Sequence, residues 1–352
     1  MMNFKQYPNM TKCVILDGTP LSTTNFSNAF NNMKNLKNVI LPNNVINLHN
    51  AFNGCTNLTT AVCGNNVTSM YHTYSRCTNL TTAVCGPNVT NMTYTYYNCA
   101  NLITAICGNN VTSMSSTYLE CTNLTTAVCG PNVTNMHRTY CGCTNLTTAA
   151  CGNNVTYIEN TYSHCTNLTT AVCGNNVTSM HHTYSYCTNL TTAICGPNVT
   201  DMYYTYQNCT NLTTAVCGPN VTYMPGAYSH CTNLTTAVCG PSVTDMYNTY
   251  YNNKNIKGNA YFYSNSIQNV CNCFYNRNTS NMLNIYVHAE TTTNTRVHYS
   301  DIRSFVGTTI TWTTDTTNNC SYNTQYNIYI YPVANVDAAR IANGDPDYMG
   351  NL

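Results

Sequence analysis

Residues 55–76 read Cys-Thr-Asn-Leu-Thr-Thr-Ala-Val-Cys-Gly-Asn-Asn-Val-Thr-Ser-Met-Tyr-His-Thr-Tyr-Ser-Arg, and at Cys77-Thr78-Asn79-Leu80 the same phrase starts again. Nine consecutive copies of this 22-residue unit run from Cys55 to Asn252 without a slip in spacing. One cysteine column is Cys55, Cys77, Cys99, Cys121, Cys143, Cys165, Cys187, Cys209 and Cys231, and a second runs from Cys63 to Cys239 at the same interval. A fixed period of about 20–29 residues is the signature of a solenoid, in which each unit buries its apolar edge against its neighbours. Function then has to come from what varies between units.

Within the first unit, Leu58, Ala61 and Cys63 alternate as a short strand with one buried face, and Asn66 stands where a leucine-rich repeat places Asn or Cys. Val67, Met70 and Tyr74 have the spacing of a helical or 3₁₀ return segment. The same length also has room for the three short strands of a right-handed β-helix. The Asn66 column is expected to be buried and to bond backbone groups freed at the turn. Gly64 and its equivalents are expected where the turn needs unusual dihedrals. The array extends to both sides. Met33 to Gly54 matches column for column, residues 11–32 form a degenerate opening rung, and 253–276 a lengthened closing one. The expected organisation is a cap with the degenerate rung over 1–32, a solenoid over 33–276, and a small domain over 277–352. Lys34, Lys37, Lys254 and Lys257 put charge on the outermost full rungs, which discourages end-to-end stacking.

Only 7% of residues are Asp, Glu, Lys or Arg and the net charge is +1, against a usual charged share of about 25%. No basic stripe interleaves with aromatics, which argues against nucleic acid. No apolar run is long enough to span a bilayer, and Met1 to Met10 lacks the apolar core of a secretory signal. The 23 cysteines are expected to be reduced ladders. Like residues on successive strands point the same way, whereas a disulfide needs converging Cβ vectors. Cysteine also packs well as a small hydrophobe. Cys141, Cys271 and Cys273 are the least constrained. Neither column has the C-x-x-C spacing of a zinc site. The repeated sequons at Asn57 and Asn66 are expected to be by-products of the repeat rather than glycan sites.

Comparison among the copies separates framework from variable positions. Four columns, those of Tyr71, His72, Ser75 and Arg76, change almost every time. They supply Tyr94 and Tyr97, then His137 and Arg138, then His164, then His181, His182 and Tyr186. Later units supply Tyr203 and Tyr204, His230, and finally Tyr247 and Tyr251. Six of the protein's nine histidines lie in these columns, and His49 occupies one of them a unit earlier. Tyrosine gives rigid amphipathic contact area, while Ser and Asn give adaptable hydrogen bonds, so the palette is that of a binding surface. A different stripe, Val62, Val84, Ile106, Val128, Ala150, Val172, Ile194, Val216 and Val238, alternates with inward residues and should face outward. Such a ladder is expected to be covered by another chain or flanked by the Thr60 column.

Catalytic constellations are thin. Asp201 and Asp245 share a column two rungs apart, near the carboxylate separation of inverting glycosidases, without a visible reason for either pKa to rise. His137, Glu159 and His181 share another column, a His₂Glu ligand set by residue type, but read as surface side chains. No nucleophile triad, P-loop or dinucleotide fingerprint is present. The expectation is a protein without enzymatic activity, metal or cofactor.

The unit resembles the BspA-type, or Treponema-type, leucine-rich repeat. Leu80-Thr81-Thr82-Ala83, Pro87, Val89-Thr90-Asn91-Met92, Thr95-Tyr96 and Cys99 follow its pattern, and Leu41-Pro42 with Ala51-Phe52 match better still. The departure is Cys and Gly in place of Ile and Pro in most strands. The Cys-Gly-x-Asn-Val-Thr version is similar to repeats in tail-fibre-type proteins of gut bacteriophages. The resemblance implies an adhesive or receptor-binding protein of a virion, recognising a bacterial surface glycan or protein and forming a homo-oligomer or contacting a virion partner. A structural fibre subunit and an extracellular or cell-surface adhesin of a bacterium or protist are the alternatives. The period changes after residue 276. Leu283 to Val287, Thr308 to Thr313 and Tyr326 to Val333 alternate as strands. Asn335 caps a short helix through Val336, Ala339 and Ile341 that stops at Gly344, and Trp312 is expected to anchor this small core.

Overall fold

The structure, a computed structural model, describes residues 4–15, 24–104, 106–149, 151–264, 267–288, 313–315, 320–323, 328–333 and 335–345. The chain forms two compact units, Met1–Leu168 and Thr169–Leu352. Each is a parallel solenoid of leucine-rich repeats.

In the first unit, strands β1 (Lys12–Val14) and β2 (Asn38–Ile40) pair in parallel. The pairing continues as single bridges at Thr82, Thr104 and Thr126, and a second bridge column runs through Ser69, Asn91, Ser113, Asn135 and Tyr157. In the second unit, β3 (Thr170–Ala171) and β4 (Thr192–Ala193) pair in parallel. There the second column is Ser179, Asp201, Tyr223, Asp245 and Asn269.

The expected helical or 3₁₀ return segment is instead a run of consecutive turns. Its N–H groups alternate between a local bond and a bond to the next rung. Thr73 donates to Met70 O and Cys77 to Tyr74 O, while His72, Tyr74 and Arg76 donate to Thr93 O, Thr95 O and Tyr97 O of the following rung. A regular helix would satisfy those N–H groups within its own segment and leave successive rungs untied.

The interior is columnar. Leu58, Val67, Met70, Tyr74 and Cys77 are fully or almost fully buried, as are their equivalents along each unit, and each such aliphatic side chain contributes about 1.5–3 kcal/mol on burial. Tyr rings stack from rung to rung, Tyr96 on Tyr118 and Tyr118 on Tyr140 both at 5.6 Å and within 4° of parallel. Tyr hydroxyls reach across the rung to a strand carbonyl, as Tyr118 Oη does to Ile106 O at 3.0 Å. Buried threonines tie rung to rung, Thr95 Oγ1 donating to Met70 O at 2.8 Å. The first cysteine column does the same, with Cys99 Sγ donating to Tyr74 O at 3.1 Å. Asn253, which follows Cys231 in that column, keeps the bond by donating Nδ2 to Tyr228 O at 2.8 Å.

Three expectations are corrected. The Asn66 column is exposed. Its side chains still bond backbone, Asn110 Nδ2 to Pro87 O at 2.8 Å, because the corner they stabilise lies at the surface. The Nδ2 a glycan would need is therefore engaged. The glycines equivalent to Gly64 do not have positive φ; they are small because a thiol from the preceding rung fills the space a side chain would take. A Cβ on Gly86 would meet Cys63 Sγ at 2.7 Å. Third, the second cysteine column is only half-buried from Cys63 to Cys173 and becomes buried from Cys195 on. The cysteines from Cys13 to Cys273 form no disulfide.

Strands of the last rungs share a sheet with the C-terminal segment. β5 (Ala237–Cys239), β6 (Gly258–Phe262) and β7 (Leu283–His288) are followed by β8 (Thr313–Asp315), β9 (Cys320–Asn323) and β10 (Ile328–Val333), in the order β5-β6-β7-β10-β9-β8. β10 lies parallel to β7 and antiparallel to β9. Residues 308–312, including Trp312, lie outside the described residues. Helix α1 (Val336–Ala342) starts as its sequence requires, with Asn335 Oδ1 accepting from Ala338 N at 3.0 Å. It lies near β6, where Tyr263 Oη donates to Asp337 and Tyr261 Oη to Asp345. The outward stripe is exposed at Ile106 (51%) and Ile194 (57%) but buried at Val238 (0%); Ala150 lies outside the described residues. In register with Val238, the stripe continues as Tyr261, stacked on Tyr286 at 5.3 Å.

Candidate binding edge along the turns

The variable columns lie where the return turns face solvent, and the backbone there is unusual. Two residues per rung have positive φ, and they are the His72 and Arg76 columns. The angles are 52° at His72, 62° at Arg76, 55° at Tyr94, 53° at Arg138, 62° at His164, 50° at His182, 64° at Tyr186, 49° at Tyr204 and 61° at His230. Asn occupies the same columns at Asn98, Asn160, Asn208, Asn248 and Asn252, and Gly at Gly54, Gly142 and Gly226. Asn, His and Gly tolerate this region best. Part of the Asn and His enrichment is therefore a backbone requirement rather than a recognition palette. Tyr, Arg and Glu at these positions are not explained that way.

The Tyr71 column carries the remaining side chains outward, and an Asx contact sets many of them. Asp201 Oδ1 accepts from Tyr203 N at 3.0 Å, Asp245 Oδ1 from Tyr247 N at 2.9 Å, and Asn135 Oδ1 from His137 N at 2.9 Å. The Ser75 column turns partly inward. Ser75, Leu119, Ser163, Ser185 and Ser229 are buried, while Tyr97 and Tyr251 remain half-buried.

These positions bring rings together in clusters along both units. In the first unit His49 lies 4.7 Å from Tyr71, Tyr71 meets His72 edge-on at 4.5 Å, and His72 stacks on Tyr94 at 4.6 Å and 5°. Tyr94 then meets Tyr97 edge-on at 6.1 Å, and the Arg76 guanidinium lies 5.7 Å over the Tyr97 ring. Partial burial, then the neighbouring His49 and Arg76, lower the His72 pKa and favour its neutral form. Further along, His137 stacks on Tyr157 at 5.4 Å and Tyr157 Oη donates to Glu159, which pushes the phenol up to about 12.

In the second unit His182 stacks on Tyr204 at 5.3 Å and 4°, and Tyr203 stands edge-on to Tyr204 at 4.6 Å. Tyr203 is parallel to Tyr223 at 6.1 Å and tilted against His181 at 5.3 Å. His181 Nε2 lies 2.6 Å from Asp201 Oδ2. Tyr186 and Tyr247 are each 40% exposed. His230 and Tyr251 lie 5.5 Å apart, and Tyr251 stacks on Tyr275 at 5.0 Å. In the first unit, His164 and Arg138 are exposed.

Sequence reasoning missed the Ser69 column, which adds Tyr157, Asp201, Tyr223 and Asp245 to this edge. Its own variation from Ser to Asn, Asp and Tyr was the available signal. Asp201 and Asp245 do not form an acid pair, since the former faces His181 and the latter accepts from Asn269 Nδ2 at 3.2 Å. His137 Nδ1 lies 3.9 Å from Glu159 Oε2. Among the described residues no three His, Cys, Asp or Glu converge as metal ligands, and no helix is long and apolar enough to cross a membrane.

A parallel solenoid of 22-residue rungs with Leu, Asn and Cys columns is a leucine-rich-repeat architecture. The chain belongs to the BspA type leucine rich repeat family, whose model matches residues 23–140, 136–257 and 202–325. A leucine-rich repeat protein from Bacteroides ovatus has a similar fold, with a TM-score of 0.62 at 15% identity over 85% of this chain and 83% of that one. A leucine rich cell surface protein from Faecalibacterium prausnitzii gives a TM-score of 0.49 at 18% identity, over 86% and 92%. No curated protein matches the sequence significantly.

Proposed function

We propose that this protein is a non-enzymatic adhesion protein that recognises a bacterial surface component, glycan or protein, through the turn edge. The observation that carries this reading is the contrast between columns. The interior repeats itself almost without change, while the edge presents rings in mutual contact whose identity changes from rung to rung. Membership of the BspA-type repeat family supports it. The finer placement, as a fibre component of a phage particle, rests on the similarity of the Cys-Gly-x-Asn-Val-Thr units to tail-fibre repeats. Immunogold labelling of particles against cells tests it.

The recognition reading is tested by replacing the edge residues of three adjacent rungs, with Ser in the Tyr71 column and Asn at the left-handed positions, so that the backbone is kept. Loss of binding to whole bacterial cells by a protein that remains folded is the expected result. Unchanged cell binding would favour a purely structural spacer.

A further inference from the structure

The ring of Tyr204 is held by three separate adaptations. Its backbone is left-handed, with φ of 49°, where the same column elsewhere uses Asn160 and Asn248. On one side His182 stacks parallel to it at 5.3 Å. On the other, the next rung has Gly226, where a Cβ would run into Tyr204 Cε1. The ring therefore occupies the space that any other residue at 226 would fill. Core packing does not require this, because the interior column of Tyr184, Tyr206 and Tyr228 is complete without it. A strained aromatic locked in place at a surface is what pre-organised recognition requires.

The surroundings identify the chemistry. From Thr169 to Asn253 the sequence contains no Lys or Arg, and its acids are Asp201 and Asp245. An anionic polymer would find no Lys or Arg on this edge and two carboxylates against it. Ring edges and phenols at the surface, with amide and carboxylate groups beside them, suit the C–H groups and hydroxyls of uncharged sugars. The edge is also periodic. Rungs are spaced by about 4.8 Å, the separation of neighbouring strands, and a hexopyranose advances along an extended chain by a similar distance. An extended polypeptide advances by about 3.3 Å per residue and does not match that spacing.

We infer that the second unit's edge, centred on Tyr203, Tyr204 and Tyr247 with Asp201 and Asp245 beside them, binds a linear uncharged hexose polymer lying along the solenoid axis. The inference rests on the recognition reading above and names its ligand class.

The full chain is tested by affinity electrophoresis through gels containing mannan, galactomannan or mixed-linkage β-glucan, with polygalacturonate as the anionic probe. Retardation by at least one neutral polymer and not by polygalacturonate is expected. Tyr204→Asn, which installs the residue type other rungs carry at that position, should weaken retardation at least tenfold without lowering the melting temperature, and Gly226→Asn should weaken it by displacing the Tyr204 ring. Asn109→Ser, at an exposed corner outside the turn-edge columns, should leave it unchanged. Retardation by polygalacturonate alone, by no neutral polymer, or equally in Tyr204→Asn overturns the inference. Cell adhesion separates the two readings. If periodate treatment of the bacteria abolishes adhesion and protease does not, the glycan inference stands. If only protease abolishes it, the glycan inference fails and recognition survives. If no cells are bound, recognition itself fails.

Discussion

Cys85 Sγ occupies the space above Gly108, lying 2.8 Å from where a β-carbon on that glycine would sit. The contact recurs along the array, at Gly130 with Cys107 Sγ and at Gly218 with Cys195 Sγ. Cysteine in one rung and glycine in the next are thus a single packing solution. Gly108→Ala should destabilise the protein by about 1–3 kcal/mol through overpacking. The loss should shrink when Cys85→Ala is added, since the Gly86 carbonyl is a looser neighbour at 3.4 Å. Thermal melts of the two single variants and the double variant give the coupling energy. Additive losses would mean that the thiol is not what excludes the side chain.

The thiols also predict a response to alkali. Burial pushes Cys121 and Cys231 up to about 12 and holds Cys99 and Cys143 well above the ordinary thiol value of 9.0. These groups bind their protons more tightly folded than unfolded, so the stability they contribute is intact below about pH 9 and is lost as the pH rises toward 12. The fully buried Tyr column, also raised above its ordinary value, acts in the same direction. Melting temperature should be flat from about pH 7 to 9 and fall steeply beyond. Thiol titration at about pH 8 should find the Cys99 column silent in the native protein and reactive after denaturation. Silence after denaturation would mean that the column is bridged.

Tyr118 separates packing from hydrogen bonding. The column already accepts phenylalanine at Phe30, Phe52 and Phe274, so Tyr118→Phe keeps the stacked ring and removes only the bond to Ile106 O. The expected cost is about 1 kcal/mol, seen as a lower melting temperature with unchanged circular dichroism. A neutral outcome would show that the strand carbonyl finds another donor.

Glu120, exposed and at φ 62°, holds a left-handed position that Gly142 and Gly54 fill with glycine. Glu120→Gly should raise stability by about 0.5–1 kcal/mol, because relief of the left-handed penalty exceeds the added freedom of the unfolded chain. The opposite change, Gly142→Ala, should lower it. Urea midpoints of both variants measure the effect, and a destabilised Glu120→Gly protein would mean that the side chain makes a contact worth more than the strain.

The repeat was legible because every column sees the same residues above and below it. Periodicity alone therefore placed Leu58, Val67, Met70 and Tyr74 inside, Ile106 outside and the ring-bearing columns at an edge, and the cap at Asn335 set the start of α1. The sequence could not show that the return segment is a ladder of turns, since that depends on N–H groups such as that of Tyr74 finding a carbonyl in the next rung. For the same reason the left-handed sign of φ at His72 and Arg76 is a tertiary property, imposed by bonds to residues a full repeat away. That property recasts much of the variable surface. Asn and His are common there because the backbone favours them, whereas Tyr204 stands out once Gly226 is seen to make room for its ring. Sequence determined which columns exist, because local spacing fixes them. Only the contacts between rungs decided which variable residues fit the backbone and which are held against its preference.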